Sequence, residues 1–368
     1  MSDGIERVAI NTGGGDAPGL NAVIRAAVIC GIRRGWQMVG IRDGYNGLLE
    51  PDRYPEGGMI PLGRESVRGI THLGGTILGT TNKGNPLAFP VRRADGTLEL
   101  VDRSGEIVAA LQEQGIDALV AIGGDGSLSI ANALAEKGVR VIGVPKTIDN
   151  DLEETVVTFG YDSAVAFATE CIDRLHTTAE AHDRVMMVEV MGRYAGWIAV
   201  GAGVAATADA ILIPEIPYRL APVAETILER QRAGREFSIV VVAEGAHEED
   251  GERSVVEKEA GVAERLGGIG ERVAAGLEEM TGKDTRVVNL GHLLRGGGPT
   301  ARDRLLALRF GAAAIRGLAR GCDGCMVALD PPDVRFVPLS MATRRLKTVP
   351  LDSDLMQTAR ELGICFGD

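Results

Sequence analysis

The sequence predicts an α/β fold made of two doubly wound, mainly parallel sheets with the active site between them. Three observations carry that expectation. Short apolar runs alternate with helical patterns almost throughout the chain, the signature of helices covering both faces of a parallel sheet. Apolar residues make up 45% of the chain and aromatic residues only 4%, so the core is aliphatic, as strands buried on both faces require. Glycine is abundant, 50 of 368 residues, and gathers just after the apolar runs. There are too many strands for one sheet, and no Gly/Ser/Pro linker divides them. The expectation is therefore two layers sharing a chain that crosses more than once. One unit comprises residues 1–160 with about 294–345, and the other about 161–293 with 346–368.

In chain order, Arg7–Asn11 reads as a strand and Leu20–Arg34 as a helix with apolar residues at Val23, Ala26, Ala27 and Cys30. The turn between them holds Gly13, Gly14 and Gly15, where the backbone can approach a ligand at the amide end of a helix. It is neither GxGxxG nor GxxxxGK[ST], which argues against a plain dinucleotide loop or a P-loop. Gln37–Arg42 is a strand leading to Asp43–Gly47, and a second glycine-rich turn spans Gly74–Pro86. Phe89–Gly105 is a polar excursion or hairpin, and Glu106–Gln114 a helix.

The centre is a strand–helix–strand unit: Ala118–Ile122, a helix over Ser127–Glu136, then Val139–Val144. Its two loops, GGDGS (123–127) and PKTIDND (145–151), leave the carboxyl ends of parallel strands and so share one edge. That gathers Asp125, Asp149, Asp151 and Lys146 at one rim. Further along come a helix Asp162–Thr178, a strand Arg184–Val190 and a loop Met191–Trp197 entering a small-residue helix. The strand Ala210–Ile213 ends in Pro214-Glu215, and after a helix Ala221–Arg232 the strand Ser238–Ala243 ends in Glu244-Gly245. A long helix Lys258–Met280, a strand Thr285–Leu290, the loop Gly291–Gly298, a helix Thr300–Leu318, a strand Met326–Leu329 and a helix Asp352–Leu362 complete the pattern.

A net charge of −12 argues against a general nucleic-acid or acidic-membrane surface, so any anion must be held by local arginines and loop amides. No apolar stretch reaches membrane-spanning length, and the beginning of the chain lacks a signal-peptide layout. Five scattered cysteines make no disulfide framework, which fits a reduced, cytoplasmic setting. Cys322 and Cys325 have CxxC spacing without a second pair and read as a turn before a strand.

Glycine loops recur at 13–15, 123–126 and 296–298 beside the carboxylates Asp16, Asp125, Asp149, Asp151, Glu215 and Glu244. That pairing suits a polyphosphate with Mg²⁺, which takes one or two carboxylates plus phosphate oxygens. The strand-end cations Lys146, Arg184, Arg193, Arg286, His292 and Arg295 suit a second, phosphate-bearing ligand. A carboxylate near both would accept a hydroxyl proton. Together these describe phosphoryl transfer to an alcohol on a phosphorylated substrate.

The ordered set GGGDAPG (13–19), GGDGS (123–127), PKTIDND (145–151), MGRYAG (191–196), PE (214–215) and GHLLRGG (291–297) resembles the 6-phosphofructokinase family over nearly the whole chain. The resemblance implies phosphorylation of fructose 6-phosphate at its 1-hydroxyl in glycolysis, by a homotetramer or homodimer. It implies that Gly15 gives an amide to the transferred phosphoryl group, that Asp125 holds Mg²⁺, and that Asp149 is the general base with Asp151 beside it. Thr147 and Ile148 meet the sugar's reacting end, Arg193 stabilises the transferring group, and Met191 and Gly192 line the sugar site. Glu215 bonds sugar hydroxyls, while His292, Leu293, Leu294 and Arg295 meet the sugar and its 6-phosphate. Arg184 and Arg286 reach the 6-phosphate in a neighbouring subunit's site. The donor side takes Tyr45, Asn82, Lys83, Gly126, Ser127 and Lys146.

Two positions bear on the donor. Pyrophosphate-using members usually carry a second Asp after the magnesium aspartate, whereas Gly126 here leaves room for a nucleotide's α-phosphate. Lys146 matches pyrophosphate users and some ATP users; it would bind the free end of pyrophosphate or brace the loop against Asp149 or Asp151. Gly126 with Lys146 resembles the family's mixed-substrate group. ATP is the expected donor, because a missing repulsive group permits nucleotide whereas an extra cation does not forbid it. Pyrophosphate in the same reaction is the alternative, and a non-catalytic sugar-phosphate-binding protein a remote one.

Overall fold

The computed structural model describes residues 4–93, 95–249, 251, 255–257 and 265–368. In chain order the elements are β1 (Arg7–Thr12), α1 (Leu20–Ile32), β2 (Gln37–Ile41), α2 (Asn46–Leu49), β3 (Met59–Pro61), β4 (Phe89–Arg92), β5 (Leu98–Val101), α3 (Ser104–Glu113), β6 (Ala118–Gly123), α4 (Asp125–Glu136), β7 (Val141–Thr147), β8 (Phe159–Gly160) and α5 (Tyr161–His182). They continue with β9 (Val185–Val190), α6 (Trp197–Ala205), β10 (Ala210–Leu212), α7 (Leu220–Arg232), β11 (Ser238–Ala243), β12 (Val255–Glu257), β13 (Arg265–Leu266), α8 (Ile269–Thr281), β14 (Thr285–Asn289), α9 (Ala301–Ala319), β15 (Cys325–Asp330), β16 (Asp333–Pro338), α10 (Leu339–Ala342) and α11 (Asp354–Glu361).

The large sheet has the order β16-β15-β7-β6-β1-β2-β3, with β8 pairing onto β7. Its centre is parallel, and β3 and β16 are antiparallel edges. The small sheet, β10-β11-β9-β14, is parallel throughout. Every residue of β6, β7, β9 and β11 is buried, which is why these strands are mostly aliphatic, with Lys146, Thr147, Glu189 and Ser238 as buried polar exceptions. Helices α1 and α9 cover one face of the large sheet, with Leu20, Val23, Ile24, Phe310 and Ile315 in its core. Helices α5 and α6 cover a face of the small sheet with Ala164, Ala168, Ile198 and Ala202. After α9, β15 and β16 the chain returns to the small sheet, where Met356 and Phe366 join its core and Cys365 pairs with Ala210.

The two sheets differ in size, eight strands against four, instead of being the similar layers expected. The first part of the predicted helix Lys258–Met280, residues 258–264, lies outside the described residues. From Arg265 a short strand precedes the helix, and Gly268, at φ +77°, turns the chain before α8 begins at Ile269. The excursion at 89–105 is the antiparallel hairpin β4–β5. Among the described residues no helix is long and apolar enough to cross a membrane.

Candidate active site

The donor half is set by the register of β1 against β6, which places Thr12 opposite Ile122 so that both following loops emerge together. Gly13 N donates to Ile122 O at 2.9 Å, Gly14 N to Thr81 O at 3.0 Å, and Thr80 Oγ1 to Gly14 O at 2.6 Å. Ser127 wedges between the loops, and a Cβ on Gly13 would lie 2.6 Å from its Oγ, so a side chain there displaces Ser127. Asp125 is the first residue of α4, half-buried, with its pKa raised by burial and by the charge of Asp151. Gly126 is exposed, and a Cβ there would meet nothing within 4 Å. Asn82 and Lys83 are exposed on the adjoining turn. Tyr45, expected on the donor side, is instead packed into the core below the sheet, where burial pushes its phenol pKa up.

Lys146 is buried at the end of β7, and its ammonium donates to Gly15 O at 2.5 Å. Burial and the Arg295 charge lower its pKa to about 8, against the pull of Asp151, Asp16 and Asp149. The lysine therefore braces the first glycine loop, a partner neither sequence alternative named.

The loop after β7 forms the other half. Thr147 Oγ1 accepts from Asp149 N at 3.0 Å, while Thr158 Oγ1 donates to Thr147 O at 2.7 Å. Asn150 takes the left-handed conformation, φ +52°, so that the aspartates on either side share one environment. Asp149 and Asp151 each carry a buried Oδ1 with no partner in the protein. Burial first, then the charge of Asp151, raises the Asp149 pKa to about 7, opposed by Arg295 and Arg193. Burial also raises Asp151, against a hydrogen bond from Thr147 and the charges of Lys146 and Lys347. Two like charges this confined titrate as a coupled pair, and burial raises both.

Across the cleft, Met191 is buried at the end of β9, and Gly192 follows at φ +142° with its carbonyl taken by Gly245 N at 3.1 Å. Arg193 is half-buried, and its charge acts on both Asp149 and Glu244. Glu215 and Glu244 differ in their partners. Both oxygens of Glu215 accept from Gly196 N at 3.0 Å, and one also from Val349 N at 2.8 Å, so it serves as a backbone clasp. Glu244, which the sequence placed at a strand end without a role, is the carboxylate that stands in the field of Asp149, Arg193 and Arg295.

His292 and Leu293 are exposed beside a cavity of about 620 Å³ that Phe167, Leu290 and Gly297 also line. Leu294 and Ile148 are buried in the core of the small sheet, so they anchor their loops instead of facing the cleft. Arg295 crosses to the donor loop: its Nη1 donates to Asp16 O at 3.2 Å, and a Cβ on Gly15 would lie 2.5 Å from that nitrogen. Arg184 and Arg286 sit elsewhere. They flank the amino ends of β9 and β14, where Arg286 pairs with Met186, and both bind Asp284, at 2.5 and 2.6 Å. Six strand residues, roughly 20 Å at about 3.3 Å each, separate Arg184 from the Met191 rim.

Among the described residues no three His, Cys, Asp or Glu side chains cluster to hold a metal. One half-buried aspartate under the influence of a second is the donor set that suits Mg²⁺ carried by a polyphosphate, since that ion keeps phosphate oxygens and waters as its other ligands.

The phosphofructokinase family model matches residues 7–318. The ATP-dependent 6-phosphofructokinase of Chloroflexus aurantiacus is 51% identical over 369 residues, covering 100% of this chain and 99% of that protein. The pyrophosphate–fructose 6-phosphate 1-phosphotransferase of Amycolatopsis mediterranei is 49% identical over 350 residues, covering 94% of this chain and 97% of that protein. The solved phosphofructokinase of Pichia pastoris in the T-state matches with a TM-score of 0.79 and 30% identity, over 93% of this chain but 36% of that larger one. On the family match, the full-length relatives and the shared fold, the chain belongs to the phosphofructokinase family.

Proposed function

We propose that the protein is a 6-phosphofructokinase that phosphorylates the 1-hydroxyl of fructose 6-phosphate from ATP, in the cytoplasm, as a step of glycolysis. The observation that carries this reading is Asp149, buried to a pKa of about 7 with one oxygen unpartnered, in the field of Arg295 and Arg193. Asp149 takes the proton of the attacking hydroxyl, and Thr147 and Asp151 hold its loop in shape. The Gly15 amide and Arg193 face the transferring phosphoryl group, with Ser127 keeping the glycine loops closed. Asp125 holds Mg²⁺, which neutralises charge on the donor's phosphate oxygens when bound. Met191, Gly192, Glu244, His292 and Arg295 receive the sugar phosphate, with Ile148, Leu294 and Glu215 anchoring the surrounding segments.

The open space at Gly126 supports ATP, because an α-phosphate meets no side chain there. The buried ammonium of Lys146 at the donor loop supports pyrophosphate as the second reading, in line with the Amycolatopsis relative. The position of Arg184 and Arg286 at the far end of the small sheet supports a homo-oligomer, dimer or tetramer, in which they complete a neighbour's site. The division into 1–160 with about 294–345, and about 161–293 with 346–368, follows which sheet each segment joins.

Replacing a positioned general base removes ~10²–10⁴-fold of rate. Asp149→Ser is expected to lose turnover on that scale while calorimetry still detects fructose 6-phosphate binding. Near-parental turnover in that variant contradicts the assignment.

A further inference from the structure

Lys347 lies in the last crossover between the sheets, far in sequence from every loop of the site. Its amide donates to Asp151 O at 2.8 Å, and the preceding Leu346 bridges to Leu152. Its ammonium donates to Asn150 Oδ1 at 3.0 Å, Thr155 O at 2.9 Å and Val156 O at 3.1 Å. Three acceptors saturate an ammonium. The stretch between β7 and β8 has no helix and no strand of its own, so these bonds gather a segment that local structure does not hold. Asn150 Oδ1 also accepts from Thr158 N at 3.1 Å, which ties the two ends of that stretch to the same cation.

Lys347 is held from the opposite side as well. Its ammonium stands 5.6 Å from the centroid of Trp197, and Trp197 Nε1 donates to Lys347 O at 3.1 Å. Trp197 opens α6, four residues beyond Arg193. Two residues on, Val349 N binds Glu215, whose oxygens hold Gly196 N. One short segment thus grips the loop of Asp149 with one set of bonds and the loop of Arg193 with another. Burial lowers the Lys347 pKa to about 8, against the opposing pull of Asp151 and Glu153.

We propose that Lys347 is a positioning residue for phosphoryl transfer: it fixes the Asp149 loop relative to the Arg193 loop across the cleft. Misplacement of reacting groups by about 1 Å costs rate far more than affinity, because orientation matters most in the transition state.

The proposal rests on Asp149 being the proton acceptor, and the test separates the two. Lys347→Met keeps the stem and removes the ammonium. It is expected to lower kcat by ~10–100-fold, the scale on which an outer partner of a reacting group acts, with the KM for fructose 6-phosphate and for the donor within about threefold. Lys347→Arg keeps a cation and recovers part of the loss. Asn150→Gly preserves the left-handed backbone and removes one acceptor, so kcat falls in the same direction. The double variant Lys347→Met/Asn150→Gly loses less than the sum of the two single changes, since the Lys347–Asn150 contact is lost in each of them. A kcat for Lys347→Met within about twofold of the parent, or fully additive losses, overturns the proposal. Where Lys347→Met does not fold, Asn150→Gly decides alone, and an unchanged kcat overturns it. Asp149→Ser run in parallel identifies which idea failed. Its activity at the parental level removes the acceptor reading, whereas its loss beside an unaffected Lys347→Met removes only the positioning role.

Discussion

Asp149 accepts a proton only when ionised, and burial together with Asp151 keeps it protonated up to about pH 7. Activity governed by that group rises with pH through the neutral range and then levels. The acidic limb of kcat/KM for the free enzyme is expected near pH 7, and Asp151→Asn, which removes the neighbouring like charge, is expected to move it to lower pH. A pH–rate series on both proteins checks this, and a limb in the ordinary carboxylate range, or one that Asp151→Asn leaves in place, contradicts it. The residue types and the rim were legible in the sequence, because PKTIDND and GGDGS fall at the ends of adjacent strands. The different partners of Glu215 and Glu244 were not. Two strand-end carboxylates look alike until Val349, 134 residues from Glu215, is seen to occupy one of its oxygens. Tyr45 was misplaced for a related reason: its loop reaches the rim while its ring turns into the core.

At the scale of elements, strands that are buried on both faces announced themselves as apolar runs, unbroken in β6 and over Ile239–Ala243 of β11, and interrupted in β9 only by the buried Glu189. The edges did not. Met59–Pro61 is only three residues long, and Asp333–Pro338 alternates with polar residues because one face meets water. Helix α9 was legible from periodicity, but its closeness to α1 was not, and glycine sets that closeness. A Cβ on Gly311 would lie 2.5 Å from Val23 O and 2.9 Å from Ala26 Cβ. Since Val23 O is backbone, the two helices themselves must shift. Gly311→Ala is expected to cost ~1–3 kcal/mol by overpacking, read as a lower midpoint in chemical denaturation. An unchanged midpoint shows that the helices have slack.

For the whole molecule, the consequence lies in where the cations fall. The cleft collects Lys146, Arg193 and Arg295, whereas Arg184 and Arg286 stand together on Asp284 at the far edge of the small sheet. If those two serve a neighbour's site, an Asp149→Ser subunit and an Arg286→Ala subunit are each defective in a different half. Mixed, dissociated and reassembled, they are expected to regain activity that neither has alone; a mixture no more active than its components contradicts shared sites. The central claim is ATP-dependent phosphorylation of fructose 6-phosphate, and the donor is its most exposed part. The direct measurement is initial-rate formation of fructose 1,6-bisphosphate by the purified protein with Mg²⁺ and either ATP or pyrophosphate. The open space at Gly126 predicts turnover with ATP, at a higher kcat/KM than with pyrophosphate; turnover with pyrophosphate alone contradicts the account.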